Sequence, residues 1–312
     1  MMERQRIILV APKSTSRQDD PAAAFRYDLA LWNFYLPLAS LGHHVAFFNT
    51  LHFGNERLEE LVASFEPHLI FSIMTGDKFL VPDEPWEAIA NETKRGNIRT
   101  FNWFCDDTWR FETFSSKACK YFHACSTPEK AFVDRYKEIG YNNILYATWH
   151  ANSDLYTGLS LPRTHDISFA GVLRGDRQIY FDKLKEANMD MVHKKNMSFE
   201  DMIEMYSRSR IGLNLSKNSN NGKTQMKART FEIAATTTPL LTEYHEDLEG
   251  NFLINEEILT FKTPEEMVEK AKYLHKNPDY ALYVAQNGLS RFIKDHDSRV
   301  RLGNLLGQMY KL

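Results

Sequence analysis

The chain has 312 residues, 43% apolar and 25% charged, with a formal net charge of −3. This composition excludes a disordered or fibrous chain, and the intermixing of acids and bases argues against a dedicated nucleic-acid or membrane surface. No stretch approaches the roughly 20 apolar residues of a spanning helix, and the run Ile7 to Val10 is too short for a signal-peptide core, so a cytoplasmic protein is expected.

The three cysteines, Cys105, Cys119 and Cys125, form no CxxC pair and have no clustered histidines beside them. A zinc site is therefore not expected, and a reducing compartment suits them. The length fits two domains of about 150 residues each.

Short apolar runs followed by polar turns and helix-period segments repeat along the chain, which is the pattern of βα units on a parallel sheet; the fold class is α/β. In the first half the predicted strands are 6–11, 44–49, 69–74, 100–105, 123–126 and 143–147. A first helix is predicted over about 21–41, with Phe25, Leu29, Trp32, Phe34, Leu36 and Leu41 at three- and four-residue spacings and Gly42 as its terminator. Asp19 and Asp20 precede Pro21 and read as its cap, because proline suits a first helical turn. A metal pair is the alternative; no metal is assigned, and Asp20 stays a possible cleft residue.

Asp106 and Asp107 directly follow the strand at 100–105, at the carboxyl end where open α/β sheets hold ligands. One of two adjacent carboxylates can have a raised pKa and take the proton of an acceptor hydroxyl, which makes both candidate catalytic residues. An N-cap for a helix starting at Thr108 is the competing reading, and both stay open. His150 ends a strand-like run just before a turn-rich stretch at 152–165 that contains Gly158 and Pro162. It is a possible cleft residue or a structural histidine. The domains are placed at 1–155 and 156–312.

The second half repeats the pattern with strands at 166–173, 211–215 and 239–242 and helices at 178–187, 199–208, 226–235, 264–274 and 280–294. The polar loop 216–225 leads into a helix whose first turns are expected to carry Lys223, Lys227 and Arg229. Backbone N–H groups, the positive helix end and three cations then converge, which suits a pyrophosphate. Arg229 and Glu232 share one helix face, with Gln225 a turn earlier; alone, such a pair reads as an exposed ion pair of little energetic weight.

Four segments change that weighting: Ser209-Arg210-Ile211-Gly212-Leu213-Asn214-Leu215-Ser216, Arg229-Thr230-Phe231-Glu232-Ile233-Ala234-Ala235, Pro239-Leu240-Leu241-Thr242-Glu243, and Asn255-Glu256-Glu257-Ile258. In order and spacing they resemble the spore maturation protein CgeB-like glycosyltransferases, from about Asp166 onward and on to Gly288, His296 and Arg301; the N-terminal half matches more weakly. The resemblance implies a GT-B architecture, two doubly wound Rossmann-like domains facing across a cleft, with the last helix crossing back to the N-terminal domain.

It further implies transfer of a sugar from a nucleotide-diphosphate-sugar to a hydroxyl acceptor without metal or cofactor. A UDP-sugar is the favoured donor, and a glycan, glycoconjugate or protein the favoured acceptor. Glu232 would bind the ribose hydroxyls, and Arg229 and Lys227, with Lys223, the diphosphate. Gly171 would allow close approach, Arg174 and Arg177 would face the leaving diphosphate, and Asn214 would join the donor-binding set.

Two positions depart from the family pattern. Thr224 stands eight residues before Glu232, where many retaining relatives carry a first glutamate, and Thr237 stands where a glycine often ends the helix. The stereochemical outcome is thus left open. Two alternatives remain: a phage-type transferase acting on hydroxymethylated pyrimidine in DNA, and a non-catalytic nucleotide-sugar-binding or assembly protein. A dehydrogenase is set aside because Ala11-Pro12-Lys13-Ser14, not G-x-G-x-x-G, follows the first strand.

Overall fold

The computed structural model describes residues 3–13, 28–77, 81, 83–173, 175–195, 197–218 and 221–312. The start of the expected first helix, Asp19, Asp20 and Arg174 lie outside them. The chain divides into two compact units, Met1–Thr148 with Ser298–Leu312, and Trp149–Asp297.

Unit 1 is built on six parallel strands, β1 (Arg6–Ala11), β2 (His44–Asn49), β3 (Leu69–Ser72), β4 (Arg99–Trp103), β5 (Ala124–Thr127) and β6 (Ile144–Tyr146), in the order β2-β1-β3-β4-β5-β6. β1 and β3 are apolar almost throughout because helices cover both faces of such a sheet; Ile7 to Val10 and Leu69 to Phe71 are fully buried. The connecting helices are α1 (Leu36–Ser40), α2 (Asn55–Phe65), α3 (Trp86–Arg95), α4 (Asp107–Arg110), α5 (Ser116–Ala118) and α6 (Lys130–Glu138). A π-helical turn, Leu31–Tyr35, precedes α1, and Gly42 follows it with φ 92°, the left-handed terminator expected there.

Asp28, just before that turn, is a buried carboxyl, 1% exposed. Its Oδ1 accepts from Leu31 N at 2.8 Å, while Oδ2 has no partner. Burial pushes its pKa up to about 6, against the opposing hydrogen bond from Leu31 and the charge of Lys13. A folded-state pKa above the unfolded value favours the protonated form, so this group stabilises at low pH and its contribution is lost as pH rises from about 4 through about 6. Denaturant unfolding from about pH 4 to pH 7 should show that loss in the wild type and a flatter profile in Asp28→Asn. Parallel profiles would refute the assignment.

Unit 2 is a five-stranded parallel sheet of β7 (His165–Ala170), β8 (Met191–Lys194), β9 (Ser209–Asn214), β10 (Leu240–Glu243) and β11 (Leu259–Phe261), in the order β11-β10-β9-β7-β8. Its helices are α7 (Arg177–Glu186), α8 (Phe199–Ser207), α9 (Ala228–Ala235), α10 (Pro264–Lys276) and α11 (Pro278–Arg291). The two edge strands were not anticipated. β11 has only three residues, and β8 is half-buried with a polar His193-Lys194 end, so neither gives an apolar run to read.

The core of this unit gathers Ile167, Phe169, Phe181, Leu184, Leu213, Leu241 and Phe261. Gly212 on β9 lets α9 lie close to the sheet: a Cβ there would sit 2.5 Å from Ile233 Cγ2. A final helix, α12 (Ser298–Met309), belongs to unit 1, where it packs on α1 and β6 and Arg99 Nη1 donates to Met309 O at 2.9 Å.

Both units are Rossmann-like, and each sheet reverses strand order once, between β1 and β3 and between β7 and β9. Those reversals open crevices at the carboxyl ends of the strands. Among the described residues no helix is long and apolar enough to cross a membrane.

Candidate functional site

The reversal point of unit 2 brings together the end of β7, the loop after β9 and the start of α9. Gly171 follows β7 directly. Its N–H donates to Lys194 O at 2.9 Å and its carbonyl accepts from His193 Nε2 at 2.6 Å, so β8 fixes both of its backbone groups. A Cβ on Gly171 would lie 3.0 Å from the Phe169 ring and 3.2 Å from Arg229 Nη2. The guanidinium thus lies against the backbone at this position, and a side chain would fill that gap.

Arg229 lies in the first turn of α9, its guanidinium 5.2 Å from the Phe169 ring centroid, a cation–π arrangement. Its Nε is buried and has no acceptor. Glu232, three residues on, is 2% exposed, and its Oε1 accepts from the Tyr156 hydroxyl at 3.1 Å. Burial raises its carboxyl pKa, opposed by the charge of Arg229 and the Tyr156 hydrogen bond.

The i,i+3 spacing suggests an exposed ion pair, and that reading is overturned. Glu232 is buried, and Arg229 forms no ion pair among the described residues. Arg229 instead hydrogen-bonds the hydroxyl of Tyr206, which also accepts from Ala170 N at 3.3 Å. Each member of the pair is thus held by its own tyrosine.

Other expected donor residues are redistributed. Lys227 is the N-cap of α9, makes no side-chain cap and lies near His245, whose pKa its charge helps to lower after burial. Lys223 and Gln225 are not on the helix. Lys217 and Thr224 pair as a small antiparallel bridge, Lys223 is exposed on that hairpin, and Gln225 is buried where its Oε1 accepts from Asn218 Nδ2 at 2.8 Å.

Asn214 is fully buried, its Nδ2 donating to Thr242 Oγ1 at 2.9 Å and Thr230 Oγ1 at 3.3 Å. It ties β9 to β10 and α9 rather than facing the crevice. Arg177 donates to Val172 O at 2.8 Å and Lys217 O at 3.0 Å, so it staples the β7 and β9 loops together.

The residues that order those loops were not singled out from the sequence. Glu243, at the end of β10, is 3% exposed and accepts from Tyr180 OH at 3.1 Å and from Lys217 N at 2.9 Å. Lys217 Nζ also pairs with Asp176 at 3.1 Å, and these partners raise its pKa against the desolvation that lowers it. Glu243 ends one of the matching segments, a signal that was available. Tyr156, Tyr180, Tyr206 and His193 carry none, because their roles depend on tertiary contacts.

In unit 1 the two adjacent aspartates separate. Asp107 is 1% exposed and accepts from Tyr136 OH at 3.0 Å. Burial raises its pKa while hydrogen bonds from Ser115, Thr127 and Tyr136 oppose this. It is a core carboxyl, not a surface base. Asp106 is half-buried at the N-cap position of α4, where its side chain makes no cap hydrogen bond.

The neighbouring loop after β3 is held by Glu84, whose carboxylate accepts from Thr75 N and Gly76 N, both at 2.7 Å, and by Arg110, which donates to Thr75 O. His150 is buried in unit 2, beside a segment whose Ala151 bridges to Asp297 and whose Ser153 N donates to Asp297 Oδ2 at 3.0 Å.

With this geometry in view, comparison with solved structures places the chain among GT-B glycosyltransferase folds. Sucrose-phosphate synthase from Thermosynechococcus elongatus aligns at 13% identity over 99% of this chain and 100% of that one, with a TM-score of 0.65. HepE from Anabaena, solved with UDP-glucose, aligns at 10% identity over 99% and 100%, TM-score 0.63. A DNA-modifying β-glucosyltransferase aligns at 10% over 98% and 100%, TM-score 0.62.

At these identities the likeness establishes the fold alone. No curated protein sequence matches the chain. Residues 161–307, the stretch that carries Gly171, Arg229 and Glu232, match the Glycosyl transferase-like family.

Proposed function

We propose that this protein is a glycosyltransferase whose unit 2 binds a nucleoside-diphosphate sugar, with a UDP-sugar as the favoured donor. One observation carries the reading. Arg229 is held against the side-chain-free face of Gly171 with an unanswered buried Nε–H, and it makes no ion pair with Glu232, whose Oε1 is taken by Tyr156. A guanidinium so placed is preorganised for phosphate oxygens, and Lys227 at the N-terminus of α9 adds charge. Glu232 offers a carboxylate to the ribose hydroxyls.

In the transfer, the bond from the anomeric carbon to the diphosphate oxygen breaks and its electron pair leaves with the diphosphate, where Arg229 and Lys227 offset the growing charge in place of a metal ion. The acceptor oxygen forms the new bond, and its proton passes to a base, for which the half-buried Asp106 is the candidate. Hexosyl and pentosyl donors both fit this scheme.

A glycan or glycoconjugate acceptor is favoured over DNA. Several of the unit 1 cations that would form a phosphate-binding stripe are paired with acids, Arg95 with Glu92, Arg135 with Glu112 and Lys137 with Asp134. Calorimetry with UDP, GDP, TDP and CMP in EDTA tests the donor reading. Saturable binding of UDP in EDTA is expected; loss of binding in EDTA would overturn the metal-free mechanism, and silence from every nucleotide would overturn the donor site.

A further inference from the structure

The two tyrosines that separate Arg229 from Glu232 come from elements that sequence comparison alone would treat as packing. Tyr206 lies on α8 and is fully buried. Tyr156 lies in the turn-rich stretch before β7, is 1% exposed, and packs edge-on to Phe199 with centroids 5.4 Å apart.

Its position is fixed from both sides. Tyr156 N donates to Asn152 O at 3.0 Å, and two residues later Gly158 is pressed so tightly on α9 that a Cβ there would collide with Thr236 O. Leu159 N then donates to Ser207 Oγ at 2.9 Å at the end of α8. The Tyr156 hydroxyl is therefore a rigid donor delivered to Glu232 from outside α9.

We propose that Tyr156 is a positioning residue for the donor nucleotide, acting through Glu232: it holds the carboxylate away from Arg229 and keeps it oriented for hydroxyl donors. This rests on the donor-site reading above. Without it, a carboxylate and a guanidinium three residues apart on one helix would be free to pair with each other, and both would be lost to the ligand. The same hydroxyl opposes the burial that favours the protonated carboxyl, so Tyr156 couples nucleotide binding to pH. The charged and titratable groups that face Glu232 are Arg229 on its own helix, Tyr156 from the preceding segment and Tyr206 from α8.

The test is UDP binding by calorimetry to wild type, Tyr156→Phe, Glu232→Gln and the double variant, between about pH 5 and pH 8. The ring is retained in Tyr156→Phe, so the variant should fold, melting a few degrees below wild type for the lost buried hydrogen bond. Its affinity for UDP should fall by about tenfold, the scale of one hydrogen bond to a charged group. The pH below which binding weakens should move upward, and the wild-type to variant ratio cancels the titration of UDP itself. In the Glu232→Gln background the same change should have little further effect.

Equal affinity and an unmoved pH limb in Tyr156→Phe, with Glu232→Gln impaired, would overturn the positioning role and leave the donor site intact. An undiminished effect in the Glu232→Gln background would also overturn it, since Tyr156 would then act by another route. Absence of UDP binding in wild type would instead refute the donor reading on which the proposal rests.

Discussion

Arg229→Ala should reduce affinity for UDP by about a hundredfold while lowering the melting temperature of the free protein by only a few degrees. Two charge-assisted hydrogen bonds to phosphate oxygens are together worth about 3 kcal/mol, which corresponds to roughly two decades in Kd. The free protein loses only a few degrees, because Arg229 makes no ion pair among the described residues and its Nε is already without an acceptor; truncation removes an unmet donor along with the hydrogen bond to Tyr206 and the ring contact to Phe169.

Arg229→Lys should recover only part of the affinity, because an ammonium carries the charge but not the fork that grips two oxygens. Affinity for UDP within about twofold of wild type in Arg229→Ala would remove Arg229 from the donor site, and with it the observation on which the functional reading depends. A large drop in melting temperature would mean that the cation–π contact is structural first.

Those residues were legible because they lie where sequence and topology agree. The apolar runs at 6–11 and 44–49 are the strands β1 and β2 residue for residue. Elsewhere the predicted strand ends shift by one to three positions, as at β3, where Ile73 and Met74 stay buried after the ladder has ended. Buried apolar sequence continues past the last strand residue, and periodicity cannot see the last hydrogen bond.

The errors at the site share a cause. A polar residue at a strand end reads the same whether it faces the crevice or the core, and only the register decides. Asn214 and Asp107 face inward. Lys223 was placed on the helix because nothing in the run Lys217 to Thr224 announces a bridge closing that loop. The tyrosines that hold the pair are far away in sequence, Tyr156 and Glu232 being 76 positions apart, and no local pattern connects them.

The largest effect on stability is expected at Arg163, where the chain enters unit 2. Its guanidinium donates to Tyr206 O at 2.9 Å, Ser209 O at 2.7 Å, Thr238 Oγ1 at 3.1 Å and Thr237 O at 2.9 Å, joining the end of α8, the start of β9 and the turn that ends α9. Arg163→Ala leaves those acceptors without their shared donor and should destabilise by about 3 kcal/mol, lowering the melting temperature by roughly 10 °C.

At the next residue in that turn the opposite sign is expected. Thr237 has φ 54°, a left-handed conformation that a β-branched residue adopts at a cost and that glycine adopts freely. Thr237→Gly keeps the carbonyl that Arg163 bonds, and should stabilise by up to about 1 kcal/mol after the added flexibility of the unfolded chain is counted. Because this turn anchors the helix that carries Arg229 and Glu232, Arg163→Ala should also weaken UDP binding, whereas Thr237→Gly should preserve it. Thermal melts and UDP titrations of the two variants separate the outcomes: a destabilising Thr237→Gly would show that the left-handed turn is not strained, and an Arg163→Ala protein of wild-type stability would show that the four hydrogen bonds do not hold the end of α9.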